Sequence, residues 1–113
     1  MTEIGQVFEQ EVVILTPGGR LDADTAPALE ARLATVEEAK AVILDLGATD
    51  YVSSAGLRVI LAAAKRNMGA GRPFLLCRLT PSVSEVFRLT GFHHILDIQP
   101  DVDAAMNHIA PDT

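Results

Sequence analysis

The chain has few of the residues that are typical of secreted, metal-binding or membrane proteins. Its 113 residues include one cysteine and no tryptophan, and aromatic residues make up 4% of them. A single cysteine excludes an internal disulfide and leaves no zinc-knuckle spacing. No apolar run approaches the ~18 residues of a membrane-spanning helix, and no basic and apolar leader opens the chain. We therefore expect a cytoplasmic protein without direct membrane insertion.

The charge balance is acidic, with nine Lys and Arg residues against fifteen Asp and Glu residues, which gives a net charge of -6. Nucleic-acid binding depends on clustered Lys and Arg, so this balance argues against a nucleic-acid partner. Hydrophobic residues make up 49% of the chain. At this length they suffice for one aliphatic core. We treat residues 1–113 as a single domain.

Apolar runs and helical periods alternate along the chain. Strands are predicted at residues 4–8, 12–16, 41–46, 74–77 and 95–98. The first two strands form a hairpin, and helices alternate with the later strands. This order predicts an α/β domain with a mostly parallel sheet of four or five strands. Right-handed crossovers between neighbouring strands would place the helices on one face of that sheet.

Capping residues bound the predicted helices. Asp24 or Thr25 begins the first helix, and Thr80 followed by Pro81 begins a later helix that Gly91 ends. A final helix follows residue 100. The residues predicted to face the core from the first and third helices are Leu29, Leu33, Val36, Val83, Val86, Phe87 and Leu89.

The segment at residues 41–66 changes from a strand period to a helix period. Six polar or turn-forming positions follow the apolar run 41–46 and lead to Ser53 and Ser54. Apolar residues then recur at helical spacing, at Leu57, Ile60, Leu61 and Ala64. A serine hydroxyl at this helix start is an N-cap or part of an anion site, because the free N–H groups and the helix dipole also favour a phosphate. Spacing alone favours the cap.

The run Val-Ser-Ser-Ala-Gly-Leu-Arg at residues 52–58 resembles the signature of STAS domains, the family of bacterial anti-sigma factor antagonists. Residues 19–22 and 89–92 also resemble stretches of that family. The resemblance implies a right-handed superhelix of strand–helix units with an antiparallel first strand at one edge. It also implies phosphorylation at Ser54. Well-known members carry Asp where this chain has Ser53, so Ser53 is an alternative acceptor.

The resemblance further implies how such a protein acts. Its unphosphorylated form binds an anti-sigma factor that is also a serine kinase, and a sigma factor is released. Phosphorylation at Ser54 abolishes binding, and a serine phosphatase of the metal-dependent type reverses it. No catalysis, cofactor or bound metal is expected of the chain itself. The expected partner-binding residues lie at the carboxyl ends of strands and on the central helix: Asp22, Asp24, Asp50, Ser53, Ser54, Ala55, Gly56, Leu57, Arg58 and Leu61.

Other functions stay open on the sequence. A STAS subunit that scaffolds a stressosome or a lipid-transport complex would share the fold without the switch. The carboxylates of Asp22 and Asp24 could also support acid–base or metal chemistry, although no His or Lys pattern accompanies them. Together with Asp45 they superficially mimic a response-regulator receiver, but the acid pair follows a Pro-Gly-Gly break. Cys77 lies in an apolar run and is interpreted as a buried structural thiol.

Overall fold

The computed structural model describes residues 3–36 and 38–109, so the predicted domain of residues 1–113 extends beyond these ranges. Their strands are β1 (Ile4–Glu9), β2 (Val12–Pro17), β3 (Gly19–Leu21), β4 (Ala41–Asp45), β5 (Thr49–Val52), β6 (Phe74–Cys77) and β7 (Asp97–Gln99). Their α-helices are α1 (Ala26–Leu33), α2 (Ser54–Gly69), α3 (Pro81–Thr90) and α4 (Val102–Ile109), and a 3₁₀ turn covers Phe92–His94.

Five strands form the main sheet in the order β1-β2-β4-β6-β7. β1 pairs antiparallel with β2 at one edge, and the other neighbours pair in parallel. The predicted hairpin, the mostly parallel sheet and the antiparallel edge strand are confirmed. The last strand begins two residues later than predicted, because Ile95 follows the 3₁₀ turn and is 59% exposed.

A second sheet of two parallel strands, β3 and β5, was not predicted. The polar positions assigned to a turn before Ser53 include β5, in which Thr49 and Val52 are buried while Asp50 and Tyr51 are exposed. The Thr49 hydroxyl donates to the Pro17 carbonyl oxygen at 2.8 Å in a buried hydrogen bond. The pairing of β3 with β5 joins segments that are far apart in sequence. The four residues of β5 have mixed polarity, so they gave no local signal for a strand.

The helices lie on both faces of the main sheet, which corrects the prediction that they share one face. One core packs α1, α2 and α3 against the sheet, with Leu29, Ile60 and Phe87 fully buried. The opposite face of the sheet carries Ile43 and Leu75, and α4 packs against it through Ala105 and its neighbours. Because the central strands are apolar on both faces, a single helical layer could not shield them from water.

The third helix follows its predicted limits. The Thr80 hydroxyl accepts a hydrogen bond from the Val83 N–H at 3.4 Å, and Gly91 ends the helix in the left-handed conformation. Val83 and Phe87 are fully buried as predicted, but Leu89 is 78% exposed. Leu89 was wrongly assigned to the core, since a residue two positions after Phe87 points to the opposite side of a helix with 3.6 residues per turn.

Candidate functional site

The two serines at the start of α2 are in different environments. Ser53 is the N-cap: its backbone is extended, and its hydroxyl accepts a hydrogen bond from the Gly56 N–H at 3.4 Å. The Ser53 N–H donates to the Leu21 carbonyl oxygen at 2.9 Å, which ties the helix start to β3. Ser54 is the first helical residue and is exposed, and its hydroxyl forms no hydrogen bond to a described residue. Ser54 therefore presents a free hydroxyl to solvent.

The helix end at Ser54 is suited to negative charge. Within the described ranges, the backbone N–H groups of Ser54 and Ala55 have no acceptor, and the first turn of α2 contains no acidic residue. Free N–H groups and the positive end of the helix dipole stabilise an anion at this position. A phosphate on Ser54 would meet these groups without displacing the Ser53 cap.

Gly56 permits the close approach of α2 to β3. A Cβ atom at this position would lie 2.7 Å from the Leu21 carbonyl oxygen, and a real side chain does not approach a backbone oxygen so closely. Gly56 is buried, and the next residue, Leu57, is 8% exposed. Of the predicted contact residues, these two therefore have mainly packing roles. Arg58 is exposed, and Ala55 and Leu61 are half-buried.

Asp22 organises the loop between β3 and α1. Its carboxylate accepts hydrogen bonds from the Asp24 and Thr25 N–H groups at 3.0 and 3.3 Å. Desolvation raises the pKa of Asp22, but those two N–H groups, the Arg20 guanidinium and the Thr25 hydroxyl outweigh it, so that the pKa lies below its ordinary value of 3.8. Thr25 occupies the N-cap position of α1, as predicted, but makes no side-chain cap bond. Asp24 is exposed.

The small sheet presents a pair of side chains that the sequence analysis missed. The Arg20 guanidinium lies over the Tyr51 ring, 4.3 Å from its centroid, and both side chains are exposed. The neighbouring Asp50 is also exposed, and its carbonyl oxygen accepts a hydrogen bond from the Ser82 hydroxyl at 3.4 Å. The stacked pair depends on the register of β3 against β5, which local sequence does not reveal.

Two grooves flank α2 and meet at Arg58, which lines both. The α1 groove, of about 410 Å³, is lined mainly by small residues of α1 and α2 and includes Glu30. The α3 groove, of about 310 Å³, lies between α2 and the end of α3. Its lining is Ser54, Leu57, Arg58, Leu61, Thr90 and Phe92. The exposed serine and the arginine thus border one largely apolar groove.

Asp45 serves the fold rather than the candidate site. Asp45 is 6% exposed, and its carboxylate accepts a hydrogen bond from the Gly47 N–H at 2.9 Å and pairs with Arg78 at 3.4 Å. Asp45 does not lie in one cluster with Asp22 and Asp24, as a response-regulator receiver would require. The described residues contain no group of three or more His, Cys, Asp or Glu residues that could hold a metal ion.

Cys77 is buried beside Asp45 at the end of β6. Burial and the charges of Asp45 and Asp101 raise its pKa to about 12, although the Arg78 guanidinium opposes them. A thiol with so high a pKa is protonated at neutral pH and is a poor nucleophile. The interpretation of Cys77 as a buried structural thiol is confirmed.

Comparison with known proteins gives a consistent result. The family model described as "STAS domain" matches residues 4–105. The chain is 42% identical over 89 residues to a Bordetella bronchiseptica protein provisionally named anti-sigma factor antagonist BtrV, covering 77% of each chain. It superposes on the crystal structure of an anti-sigma factor antagonist from Mycobacterium paratuberculosis with a TM-score of 0.86 and 26% identity, covering 96% and 94% of the two chains.

A more distant structure shares the fold. The phosphorylated form of the Bacillus cell fate determinant SpoIIAA superposes with a TM-score of 0.72 at 15% identity, and 97% of this chain and 100% of that chain are covered. Among the helices that the structure describes, none is both long enough and apolar enough to cross a membrane.

Proposed function

Because the chain belongs to the STAS domain family, we propose that it is an anti-sigma factor antagonist whose binding is switched off by phosphorylation of Ser54. The unphosphorylated protein binds an anti-sigma factor that has serine kinase activity, and the sigma factor is released. The protein acts in the cytoplasm as a binding component, without catalysis of its own. The observation that carries this proposal is the exposed, unbonded Ser54 hydroxyl beside a separate N-cap serine.

The switch is a phosphoryl transfer from ATP. The Ser54 oxygen attacks the γ-phosphorus, the bond from that phosphorus to the bridging oxygen breaks, and ADP leaves. The hydroxyl proton passes to a base of the kinase. A metal-dependent serine phosphatase reverses the modification by hydrolysis, which releases inorganic phosphate and restores the hydroxyl.

Accessibility and bonding favour Ser54 over Ser53 as the acceptor. Ser53 is half-buried, and its hydroxyl is already held against the Gly56 N–H, so a kinase would reach it less readily than the exposed Ser54. Ser54 can accept a phosphoryl group without the loss of a hydrogen bond to any described residue. Ser53 remains the alternative acceptor, and the two variants described below distinguish them.

Desolvation is the main reason why a phosphate would prevent binding. A phosphoserine carries about -1.5 to -2 charges at pH 7. Repulsion from one carboxylate about 8 Å away is only ~0.5 kcal/mol in water. Burial of an unpaired ion under a partner costs several kcal/mol, while a loss of about 2.8 kcal/mol already weakens binding about a hundredfold.

The contact surface we propose surrounds Ser54 and includes the exposed residues of the predicted set: Asp24, Asp50 and Arg58, with Ala55 and Leu61 at half-buried positions. The stacked pair of Arg20 and Tyr51 extends this surface onto the small sheet. Arg and Tyr are enriched among the residues that dominate binding energy in protein interfaces. Their exposure on the small sheet, whose strand β5 leads into the helix start at Ser54, supports a protein partner.

The experiment is phosphoryl transfer with ATP and the candidate anti-sigma kinases of the same genome, followed by intact-mass analysis and site localisation. We expect one phosphoryl group on wild-type protein and on Ser53→Ala, and none on Ser54→Ala. Undiminished labelling of Ser54→Ala would move the site to Ser53 or elsewhere. Binding to a partner without any phosphoryl transfer would instead favour the scaffold function.

A further inference from the structure

Arg58 lies four residues after Ser54 on α2, so both side chains lie on one face of the helix, a turn apart. Both line the α3 groove. Arg58 is exposed and forms no hydrogen bond or ion pair to a described residue.

We propose that Arg58 is the intramolecular partner of the phosphate on Ser54. Modification would then add an anion and also withdraw this cation from the contact surface. The inference rests on the proposed function, since it requires a phosphate at Ser54.

The direction of side chains on a helix favours the contact. Each Cα–Cβ bond tilts toward the helix N-terminus, so Arg58 extends over the turn that begins at Ser54. Cβ atoms at this spacing are about 5–6 Å apart, within reach of an arginine side chain. The guanidinium presents donors in a planar fork that can bond two phosphate oxygens at once. An anion that precedes a cation by four residues is also the more stabilising order on a helix.

Few charged groups compete for Arg58. Of the residues that line the two grooves beside it, Glu30 of α1 is the one acidic side chain, and it forms no ion pair with Arg58. From the other side, Thr90 and Phe92 contribute no charge to the α3 groove. On α2 itself the remaining charged residues are Lys65 and Arg66, both basic. A phosphate on Ser54 would therefore be the strongest anion within reach of Arg58.

The pairing also indicates what the partner carries. In the unphosphorylated protein, Arg58 lies at the border of a groove whose other walls include Leu61 and Phe92. The complementary partner segment presents an apolar side chain to the groove and a carboxylate to Arg58. Once Ser54 is phosphorylated, the guanidinium is occupied within the chain, and that carboxylate has no cation to meet.

The test uses full-length protein with phosphoserine incorporated at position 54 during translation, so that no kinase is needed. ³¹P NMR follows the second ionisation of the phosphoserine, whose ordinary pKa is about 6. We compare wild type with Arg58→Gln. Lys65→Gln is the control, because it removes the same charge at ~16 Å from Ser54 along the helix. That distance is beyond the screening length at physiological salt. Amide spectra of the exposed-site variants verify the fold.

We expect the titration midpoint of the wild-type protein to lie about half a pH unit below that of Arg58→Gln, because the guanidinium stabilises the dianion at an exposed site. Lys65→Gln should match wild type. Equal midpoints for wild type and Arg58→Gln would overturn the pairing, as would an equal displacement in Lys65→Gln. If native protein is never phosphorylated at Ser54 but the midpoints differ as expected, the proposed function fails while the pairing stands.

Discussion

Ser53 and Ser54 are adjacent and chemically identical, yet the fold gives them different roles. The extended backbone at Ser53 directs its hydroxyl to the Gly56 N–H, whereas Ser54 enters the helix with its hydroxyl in solvent. The spacing of the residues predicted a serine at the helix start, as a cap or an anion site, and the resemblance to the family implied Ser54 as the acceptor. Which serine caps the helix could not be read from the sequence, because it depends on where the helix begins, to within one residue.

Stability measurements on the two alanine variants separate these roles. We expect Ser53→Ala to lower the free energy of unfolding by about 0.5–1 kcal/mol through the loss of the cap. Ser54→Ala should stay within about 0.5 kcal/mol of wild type, as is usual for surface substitutions away from structural features. Urea unfolding monitored by circular dichroism provides both values. A larger loss in Ser54→Ala than in Ser53→Ala would reverse the assignment of the cap.

Asp22 gives the protein a predictable response to acid. Its pKa is lower in the folded chain than the ordinary value of 3.8, so its stabilising contribution is complete above that pH. The contribution is lost as the pH falls through the lower folded value. We expect Asp22→Asn to destabilise the protein at neutral pH and to reduce the loss of stability on acidification.

The measurement is urea unfolding at several pH values between about 2 and 7. Asp24→Asn is the matched control, because it removes the same charge from an exposed side chain that forms no side-chain hydrogen bond to a described residue. An unchanged slope of stability against pH in Asp22→Asn would contradict the assigned role of this carboxylate.

The main elements were largely readable from sequence, whereas the small sheet was not. Long apolar strands and helices bounded by residues such as Thr80 and Gly91 carry strong local signals, and they were confirmed. β3 and β5 are short and of mixed polarity, and they depend on their pairing with each other and on long-range contacts such as that between Thr49 and Pro17. These two strands carry Arg20 and Tyr51, so the part of the candidate site that they form was missed.

A valine substitution tests how the small sheet is held. Thr49→Val keeps the shape of a 1% exposed side chain but removes its hydrogen bond to the Pro17 carbonyl. We expect a loss of about 1–2 kcal/mol in the free energy of unfolding. Thr35→Val is the control, because its hydroxyl also donates to a backbone carbonyl, that of Arg32 at 2.7 Å, but on the surface. Equal effects of the two substitutions would contradict the structural role of Thr49.

The molecule as a whole combines a core on both faces of the main sheet with the proposed switch at the start of α2. Both faces of the main sheet are packed, and Ser54 contributes to neither core. A charge added at Ser54 would therefore lie outside the packed residues of both cores in the described fold. We expect phosphorylation to change the local surface and to leave the fold intact.

The rate at which a thiol reagent labels Cys77 shows whether the core around β6 is intact. Because burial and neighbouring carboxylates raise its pKa to about 12, we expect no reaction with a thiol reagent at pH 8 unless the protein unfolds. Labelling should be complete in urea and very slow in buffer, with the same slow rate in wild type and Ser54→Asp. Rapid labelling of native wild type would contradict the packing around β6, and rapid labelling of Ser54→Asp alone would contradict a purely local switch.

The most direct measurement is the dissociation constant between this protein and the proposed anti-sigma kinase, with Ser54 unmodified and with phosphoserine at the same position. Calorimetry without ATP keeps the two states separate. We expect the unmodified protein to bind and the phosphorylated protein to bind at least about a hundredfold more weakly. Equal affinity of the two forms would contradict the account.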